Sequence, residues 1–245
     1  MYVKTSSHLY IWTLLTITQL VAKTPIPILS NVHTGATLVW AIRLTTFLLH
    51  REFINWPEWH AKVGEVNRRA TLQSKATIWL TCGAFYAMMM YPCVNRMKDA
   101  IVNGQGAKTW GGIGKTGLTC QLLGILMETI ADAQKGDFKR RPGNRNKFCN
   151  TGIWAYFSHP NYLGEVIFWS GTFLGGVSCN KNAKDWLISI SGLIFISTVM
   201  KGAVDSLGSK HLKNYGHEED FLRLQNKRSF FGPIPRCFQN QALPM

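Results

Sequence analysis

The sequence predicts an all-α membrane protein, a bundle in which about six helices cross the bilayer. Two features of the composition favour this fold class: 46% of the 245 residues are apolar and only 16% are charged, well below the roughly 25% of soluble domains. The third observation is Ala76–Val94, a run without a single charged residue. This run is long enough to cross the hydrocarbon layer as a helix.

Five further apolar runs are shorter or weaker than this one. A buried helix of a soluble protein could account for any one of them, but six such runs in one chain favour membrane spans. In chain order the five runs are Leu9–Ala22, Gly35–Leu49 (which contains Arg43), Thr116–Ile130, Val166–Cys179 and Trp186–Met200. The sequence contains no internal repeat and no low-complexity linker, so we expect residues 1–245 to form a single membrane domain.

Lysine and arginine are unequally divided between the two sides of this predicted bundle. With six spans, one side holds the N-terminus, residues 50–75, residues 131–163 and the tail from residue 201. This side carries 19 of the 27 Lys and Arg residues and the other side carries 7, while Arg43 lies inside a span. Such an excess is typical of the side that is not translocated. We therefore expect the basic face toward the cytoplasm, or toward the matrix in a mitochondrial membrane. The expected membranes are the endoplasmic reticulum or mitochondrial inner membrane in a eukaryote and the inner membrane in a bacterium.

The net charge of +14 indicates anionic lipid head groups as partners. No nucleic-acid recognition motif accompanies the charge, so we expect no nucleic-acid partner. The six cysteines show no Cys-x-x-Cys spacing and lie mostly in apolar surroundings. Free buried thiols are therefore expected, and neither a disulfide framework nor a metal site.

Gly117 to Lys139 contains no proline and is predicted to form one long helix. At about 100° per residue, five polar side chains fall on one narrow stripe of this helix: Gln121, Glu128, Asp132, Lys135 and Lys139. A solvated face with ion pairs is the simpler interpretation of such a stripe. It fits poorly, because the two acids and the two lysines form like-charge pairs at four-residue spacing, which destabilise an isolated helix.

A ligand explains the stripe better than solvation does. Two acids at the membrane edge are explained if they accept hydrogen bonds from a ligand, or if one of them is protonated, and two lysines close to further cations suit phosphates. The following loop supplies those cations, namely Arg140, Arg141, Arg145 and Lys147. The retention of positive charge on one membrane side would explain this loop, but it would not explain the adjacent stripe.

The segment His159-Pro160-Asn161-Tyr162 is predicted to begin a second helix, since proline suits the first helical turn. The free amides of such a terminus bind phosphate or carboxylate well. Glu165 shares a face with Asn161 and Thr172 and lies at or below the membrane interface. A carboxyl group there favours its neutral form and can donate a proton or a hydrogen bond. The alternatives are a structural partner of Arg43 for Glu165 and a helix-capping role for His159.

These residues resemble the steroid 5α-reductase C-terminal family, including its branch of uncharacterised, DUF1295-like membrane proteins. The resemblance rests on three segments: Glu128–Lys139 (ETIADAQKGDFK), the Pro142-Gly143-Asn144 loop, and Gly152–Glu165, which ends in HPNYLGE. It extends over about residues 36–236, with weaker likeness at Trp40–Leu44 and Lys213–Gly216. Sterol reductases and isoprenylcysteine methyltransferases are more distantly similar.

The resemblance implies an NADPH site that opens to the basic face. In the family, hydride passes to the β-carbon of a conjugated enone in a lipid such as a 3-oxo-Δ4 steroid. Glu165 would polarise the substrate carbonyl, with Tyr162 as the second catalytic residue. The implied cofactor-binding residues are Glu128, Asp132, Lys135, Lys139, Arg145, His159, Asn161, His211 and Tyr215. The cofactor supplies the chemistry, and the protein aligns it and stabilises the developing enolate oxygen.

The chain departs from the family pattern at several positions. Ser158 stands where an arginine usually precedes His-Pro, and Leu207-Gly208-Ser209 stand where the bacterial branch has a glutamate. The closing run Lys227-Arg228-Ser229 matches the family only loosely, and the chain before Arg43 is short. These departures favour a second hypothesis, a catalytically degenerate subunit of a larger membrane complex, for example a respiratory one, that binds nucleotide or lipid structurally. A third hypothesis is a methyltransferase that uses S-adenosylmethionine.

Overall fold

The computed structural model describes residues 26–55, 57–104 and 110–234, and of residues 54, 55, 57–59 and 62 it describes the backbone alone. These residues form helices joined by short connections, with no β-strand among them and two isolated backbone bridges. The predicted all-α fold class is therefore confirmed. The predicted run Leu9–Ala22 lies outside the described residues.

Seven α-helices occur in the described part of the chain: α1 (Ile28–His50), α2 (Pro57–Arg69), α3 (Leu72–Asn103), α4 (Gly112–Arg140), α5 (Pro160–Gly176), α6 (Ala183–Tyr215) and α7 (Glu219–Lys227). A π-helical turn, Arg51–Asn55, follows α1, and 3-10 turns form at Gly152–Ala155 and Val177–Cys179. Local sequence explains both ends of α3. The Thr71 hydroxyl accepts a hydrogen bond from the Ser74 amide at 3.2 Å, and Gly104 takes a positive φ of 51° that favours glycine.

Among the described residues, three helices are long and apolar enough to cross a membrane: Ile28–Phe53, Leu72–Asn103 and Ala183–Tyr215. They contain three of the runs predicted from the sequence, and a membrane location is compatible with them. The runs Thr116–Ile130 and Val166–Cys179 are also largely helical, within α4 and α5, but these helices are not among the three. The number of six spans stays a prediction.

The buried face of α1 holds polar residues beside Trp40, and several apolar side chains of this helix are exposed. The buried residues include Ser30, His33 and Thr37, whereas Ile28 and Val39 are 76% and 54% exposed. Polar groups inside and apolar side chains outside are typical of a helix whose outer face contacts lipid.

The described residues divide into two compact units: those up to residue 118 with 172–195, and 119–171 with 196–234. In the first unit, the Arg96 guanidinium lies 4.5 Å from the centre of the Trp110 ring and donates to the Gly175 carbonyl at 3.1 Å. The second unit contains every residue that the sequence predicts for the site. Whether the whole chain is one membrane domain stays a prediction.

Candidate functional site

The polar stripe of α4 is the buried face of that helix. Gln121, Glu128 and Asp132 are 0%, 3% and 7% exposed, and Lys135 and Lys139 are half-buried. The interpretation of this stripe as a solvated face is therefore wrong for the two acids. Burying carboxyl groups is unfavourable unless hydrogen bonds or charges compensate them, so their place inside the fold is typical of a functional site.

Two glycines bring α4 and α5 into close contact beside these acids. A Cβ atom on Gly124 would lie 2.5 Å from the Phe168 amide nitrogen, and one on Gly164 would lie 3.0 Å from the Glu128 Cβ. No side chain fits at such distances, so the two backbones touch. Glu128 consequently lies against the residue that precedes Glu165, which is itself 7% exposed. Two buried carboxyl groups thus flank one helix crossing.

The segment that leads to α5 is anchored on α4. The Gln134 side-chain oxygen accepts a hydrogen bond from the Ile153 amide at 2.9 Å, and the Trp154 indole donates to the Ala131 carbonyl at 2.9 Å. The Lys135 ammonium lies 4.7 Å from the centre of the Trp154 ring, a cation–π contact. These contacts fix the Trp154 ring and the Lys135 side chain in one place.

A basic cavity lies between these elements, and we call it the cationic cavity. It is lined by Lys135, Lys139, Phe148, Cys149, Trp154, Ser158, His211, Tyr215 and Arg228, and its volume is about 30 Å³. The Lys139 ammonium donates to the carbonyls of Arg145, at 3.0 Å, and Lys147, and burial lowers its pKa. The lining holds three cationic side chains and no carboxylate. It can therefore bind an anion.

Arg228 belongs to the segment after α7. Its guanidinium, 5% exposed, donates to the carbonyls of Cys149 (3.4 Å) and Trp154, while its Nε has no partner among the described residues. Burial lowers the pKa of Arg228 to about 10, so the side chain stays charged at neutral pH. The Ser158 amide donates to the Ser229 carbonyl at 2.9 Å, which holds this segment against the start of α5.

The rings of two histidines and two tyrosines lie in contact beside the cavity. The His159 ring is parallel to those of Tyr162 and His211, with centroids 5.7 Å and 6.0 Å away, and His211 contacts Tyr215 at 5.9 Å. Burial lowers the pKa of His159 to about 4, and His211, Lys135 and Arg228 lower it further. At neutral pH His159 is therefore neutral, with one nitrogen that donates and one that accepts. In the described part of the protein neither ring nitrogen has a hydrogen-bond partner.

A family model matches most of the chain. Residues 6–228 match the model described as Protein of unknown function (DUF1295). The chain belongs to the DUF1295 family. No curated protein and no solved structure matches it. The match begins well before residue 36, where the resemblance was expected to begin, and it ends at residue 228, so it spans α4, the HPNYLGE segment and the cationic cavity.

In this DUF1295 protein the predicted site residues fall into three groups. Lys135, Lys139, His211 and Tyr215 line the cationic cavity, and His159 stacks on His211. Asn161 and Tyr162 lie half-buried in the first turn of α5. Away from the cavity lining are the buried acids Glu128, Asp132 and Glu165 and the exposed Arg145, whose carbonyl accepts from Lys139.

Sequence reasoning missed Arg228, Trp154, Phe148 and Cys149 as lining residues. Arg228 is one of 27 basic residues, and its burial is a property of the fold that no local pattern announces. Trp154 lies inside the Gly152–Glu165 motif, so its place in that motif was the available signal.

The residues present fit the phosphate part of a dinucleotide. Lysine and arginine donate charge-assisted hydrogen bonds to phosphate oxygens, and the aromatic side chains around them offer apolar surface. A volume of about 30 Å³ holds about two water molecules, hence part of one phosphate group. The rest of such a ligand would lie outside the cationic cavity. Among the described residues no group of His, Cys, Asp or Glu could hold a metal ion.

Proposed function

We propose that this chain is an NADPH-dependent reductase that acts on a carbon–carbon double bond in an enone lipid or steroid. The observation that carries the proposal is the cationic cavity, which places Lys135, Lys139 and Arg228 beside stacked histidines, in the same unit as the buried carboxyl groups of Glu128 and Glu165. The cations suit the phosphate groups of the cofactor, and a buried carboxyl group suits the carbonyl of the substrate.

In the proposed reaction the cofactor, when bound, supplies a hydride. Lys135, Lys139 and Arg228 bind its phosphate groups, and His211 and Tyr215 orient it. Glu165, buried at the start of α5, donates a hydrogen bond to the substrate carbonyl in its neutral form. That hydrogen bond stabilises the negative charge that develops on the oxygen as the β-carbon receives the hydride. A proton from water then adds to the α-carbon, which completes the saturation of the double bond. Tyr162, one turn earlier on the same helix, is the second catalytic residue of the proposal.

The proposed setting is a membrane, with the exposed basic residues after α4 toward the cytoplasm or matrix. Arg140, Arg141 and Lys147 there are exposed and suit anionic lipid head groups. The substrate is proposed to be an apolar lipid that reaches Glu165 from the bilayer.

The test is NADPH binding and turnover by the full chain in lipid nanodiscs. We expect a saturable NADPH signal in calorimetry and NADPH consumption with an enone lipid, both in the wild type. Glu165→Leu should keep NADPH binding and lose turnover by at least about 100-fold, as expected for the removal of an oxyanion-stabilising donor. Glu219→Leu, a change in an exposed ion pair with Arg223, is the matched control and should leave both unchanged. A wild-type chain that binds no NADPH contradicts the proposal.

A second candidate is a former reductase kept as a subunit of a larger membrane complex. Ser158 and the small volume of the cationic cavity favour it, because both reduce the contacts that the chain can make with a cofactor. Native-gel migration separates the two: co-migration with a large assembly, without turnover of any enone lipid, would support the subunit. The methyltransferase hypothesis has no separate structural support, and a methyl-transfer assay with labelled S-adenosylmethionine tests it directly.

A further inference from the structure

Arg228 is a buried cation without a counter-ion. Within the described part of the chain it forms no ion pair with a carboxylate, and its guanidinium donates only to the Trp154 and Cys149 carbonyls. The Nε proton has no acceptor among the residues that the structure describes. A charge that is removed from water without a partner of opposite sign is strongly unfavourable. Because this charge lies beside a cavity, an anionic ligand that enters the cavity can compensate it.

The position of Arg228 connects it with Ser158. Both side chains line the cationic cavity, and the backbones of Ser158 and Ser229 share a hydrogen bond of 2.9 Å. The short side chain of Ser158 leaves space at the cavity that a longer one would fill.

The segment that carries Arg228 is itself fixed. The Ser229 amide and hydroxyl both donate to the Gly232 carbonyl, at 2.7 Å and 2.9 Å, and the Ile234 amide donates to the Lys227 carbonyl at 2.9 Å. The guanidinium is thus presented to the cavity from a closed turn. A fixed fork of donors loses less entropy when it binds a phosphate group than a free side chain does.

We propose that the guanidinium of Arg228 binds a phosphate group in the cationic cavity. The ligand class is a phosphate ester or diphosphate, either of a nucleotide or of a lipid head group, which Arg228 holds together with Lys135 and Lys139. The nucleotide form rests on the proposed reductase function, whereas the phosphate site stands without it.

The test is the relocation of the positive charge. Pyrophosphate and NADPH binding are measured by calorimetry on the full chain in phosphatidylcholine nanodiscs, for the wild type, Arg228→Gln and the double variant Ser158→Arg/Arg228→Gln. The loss of a charged hydrogen bond predicts a 10- to 150-fold weakening for Arg228→Gln, taking about 1.5–3 kcal/mol for such a bond. The double variant should recover at least about tenfold of this loss. The control Arg223→Gln, on an exposed pair of the neighbouring helix, should bind like the wild type.

Equal binding of both ligands by the wild type and a folded Arg228→Gln overturns the proposal. If Arg228→Gln does not fold, Arg228→Lys keeps the charge without the fork and should bind pyrophosphate more weakly than the wild type does, and equal binding would overturn the proposal. In the unmodified protein, pyrophosphate should slow amide hydrogen exchange at residues 227–234, and unchanged exchange there also overturns the proposal.

Two further outcomes separate the ligand sources from the reductase function. If pyrophosphate binding depends on Arg228 but NADPH does not bind, the phosphate site stands and the reductase proposal falls. If NADPH binds equally well with and without Arg228, the reductase proposal stands and the role of Arg228 falls. Binding of a soluble fluorescent phosphatidylglycerol that depends on Arg228, in place of nucleotide binding, identifies the phosphate group as that of a lipid.

Discussion

Replacement of Gly124 by alanine tests the contact on which the site depends. The new Cβ would lie 2.5 Å from the Phe168 nitrogen and 2.6 Å from the Gly164 carbonyl oxygen, where ordinary contact begins at 3.4 Å. The neighbouring atoms are backbone, so no rotamer change relieves the overlap. Helices α4 and α5 must separate by about 0.9 Å at this point, a form of overpacking that costs about 1–3 kcal/mol.

Gly136 on the same helix is the matched control, because a Cβ there meets nothing within 4 Å. Gly136→Ala and Gly124→Ala both gain up to about 1 kcal/mol of helix propensity. The difference in stability between the two variants therefore measures the cost of the overlap at Gly124. Thermal unfolding in detergent, followed by circular dichroism, should give Gly124→Ala a lower Tm than Gly136→Ala. With about 2–4 °C per kcal/mol for a chain of this size, the gap should be several degrees.

The same contact predicts non-additivity. A Cβ on Gly164 would meet the Gly124 carbonyl oxygen at 2.9 Å, so both substitutions push on one interface, and the double variant should lose less stability than the two single losses combined. If Gly124→Ala is as stable as Gly136→Ala, the close approach of α4 and α5 is not as described and the placement of Glu128 beside α5 fails with it.

Three further predictions concern residues in and around the cationic cavity. Gly152→Ala should lose at least about 1 kcal/mol more stability than Gly143→Ala in the same unfolding assay, since both glycines have positive φ values but only a Cβ at Gly152 would overlap a side chain, that of Gln134; equal losses would contradict this. Trp154→Phe should cost about 0.5–1.5 kcal/mol through the lost hydrogen bond to the Ala131 carbonyl, and a neutral effect would show that this bond is absent. Burial lowers the pKa of His159 to about 4 in the folded protein, whereas the imidazole of the unfolded chain is protonated already near pH 6.5. The free energy of unfolding should therefore fall by on the order of 3 kcal/mol as the pH drops from about 6.5 to about 4. His159→Phe should flatten this decline in Tm measured against pH, and an unchanged slope would rule out His159 as its source.

The sequence was sufficient to predict features that depend on helical periodicity. The helix predicted at Gly117–Lys139 lies within α4, and its polar stripe is the buried face, because helical periodicity places residues three and four apart on one side. The start of α5 at Pro160 was predictable for a similar reason, since proline is favoured in the first turn.

Features that depend on distant parts of the chain were not predictable. Arg228 is brought to Trp154 and Cys149 by contacts that span more than 70 residues, and no pattern around Arg228 signals its burial. The number of spans is also uncertain from hydropathy alone, because buried polar residues such as Gln121 and Glu128 in α4 lower the apolar character of a helix without placing it in water.

Calorimetric titration of NADPH and of pyrophosphate into the full chain in nanodiscs tests most directly whether the cationic cavity binds phosphate groups. We predict saturable binding of both ligands at one site, weaker at higher salt because charges in the cavity are partly screened, and weakened further in Arg228→Gln and Lys139→Gln. No saturable binding of either ligand to the folded wild type would contradict the account.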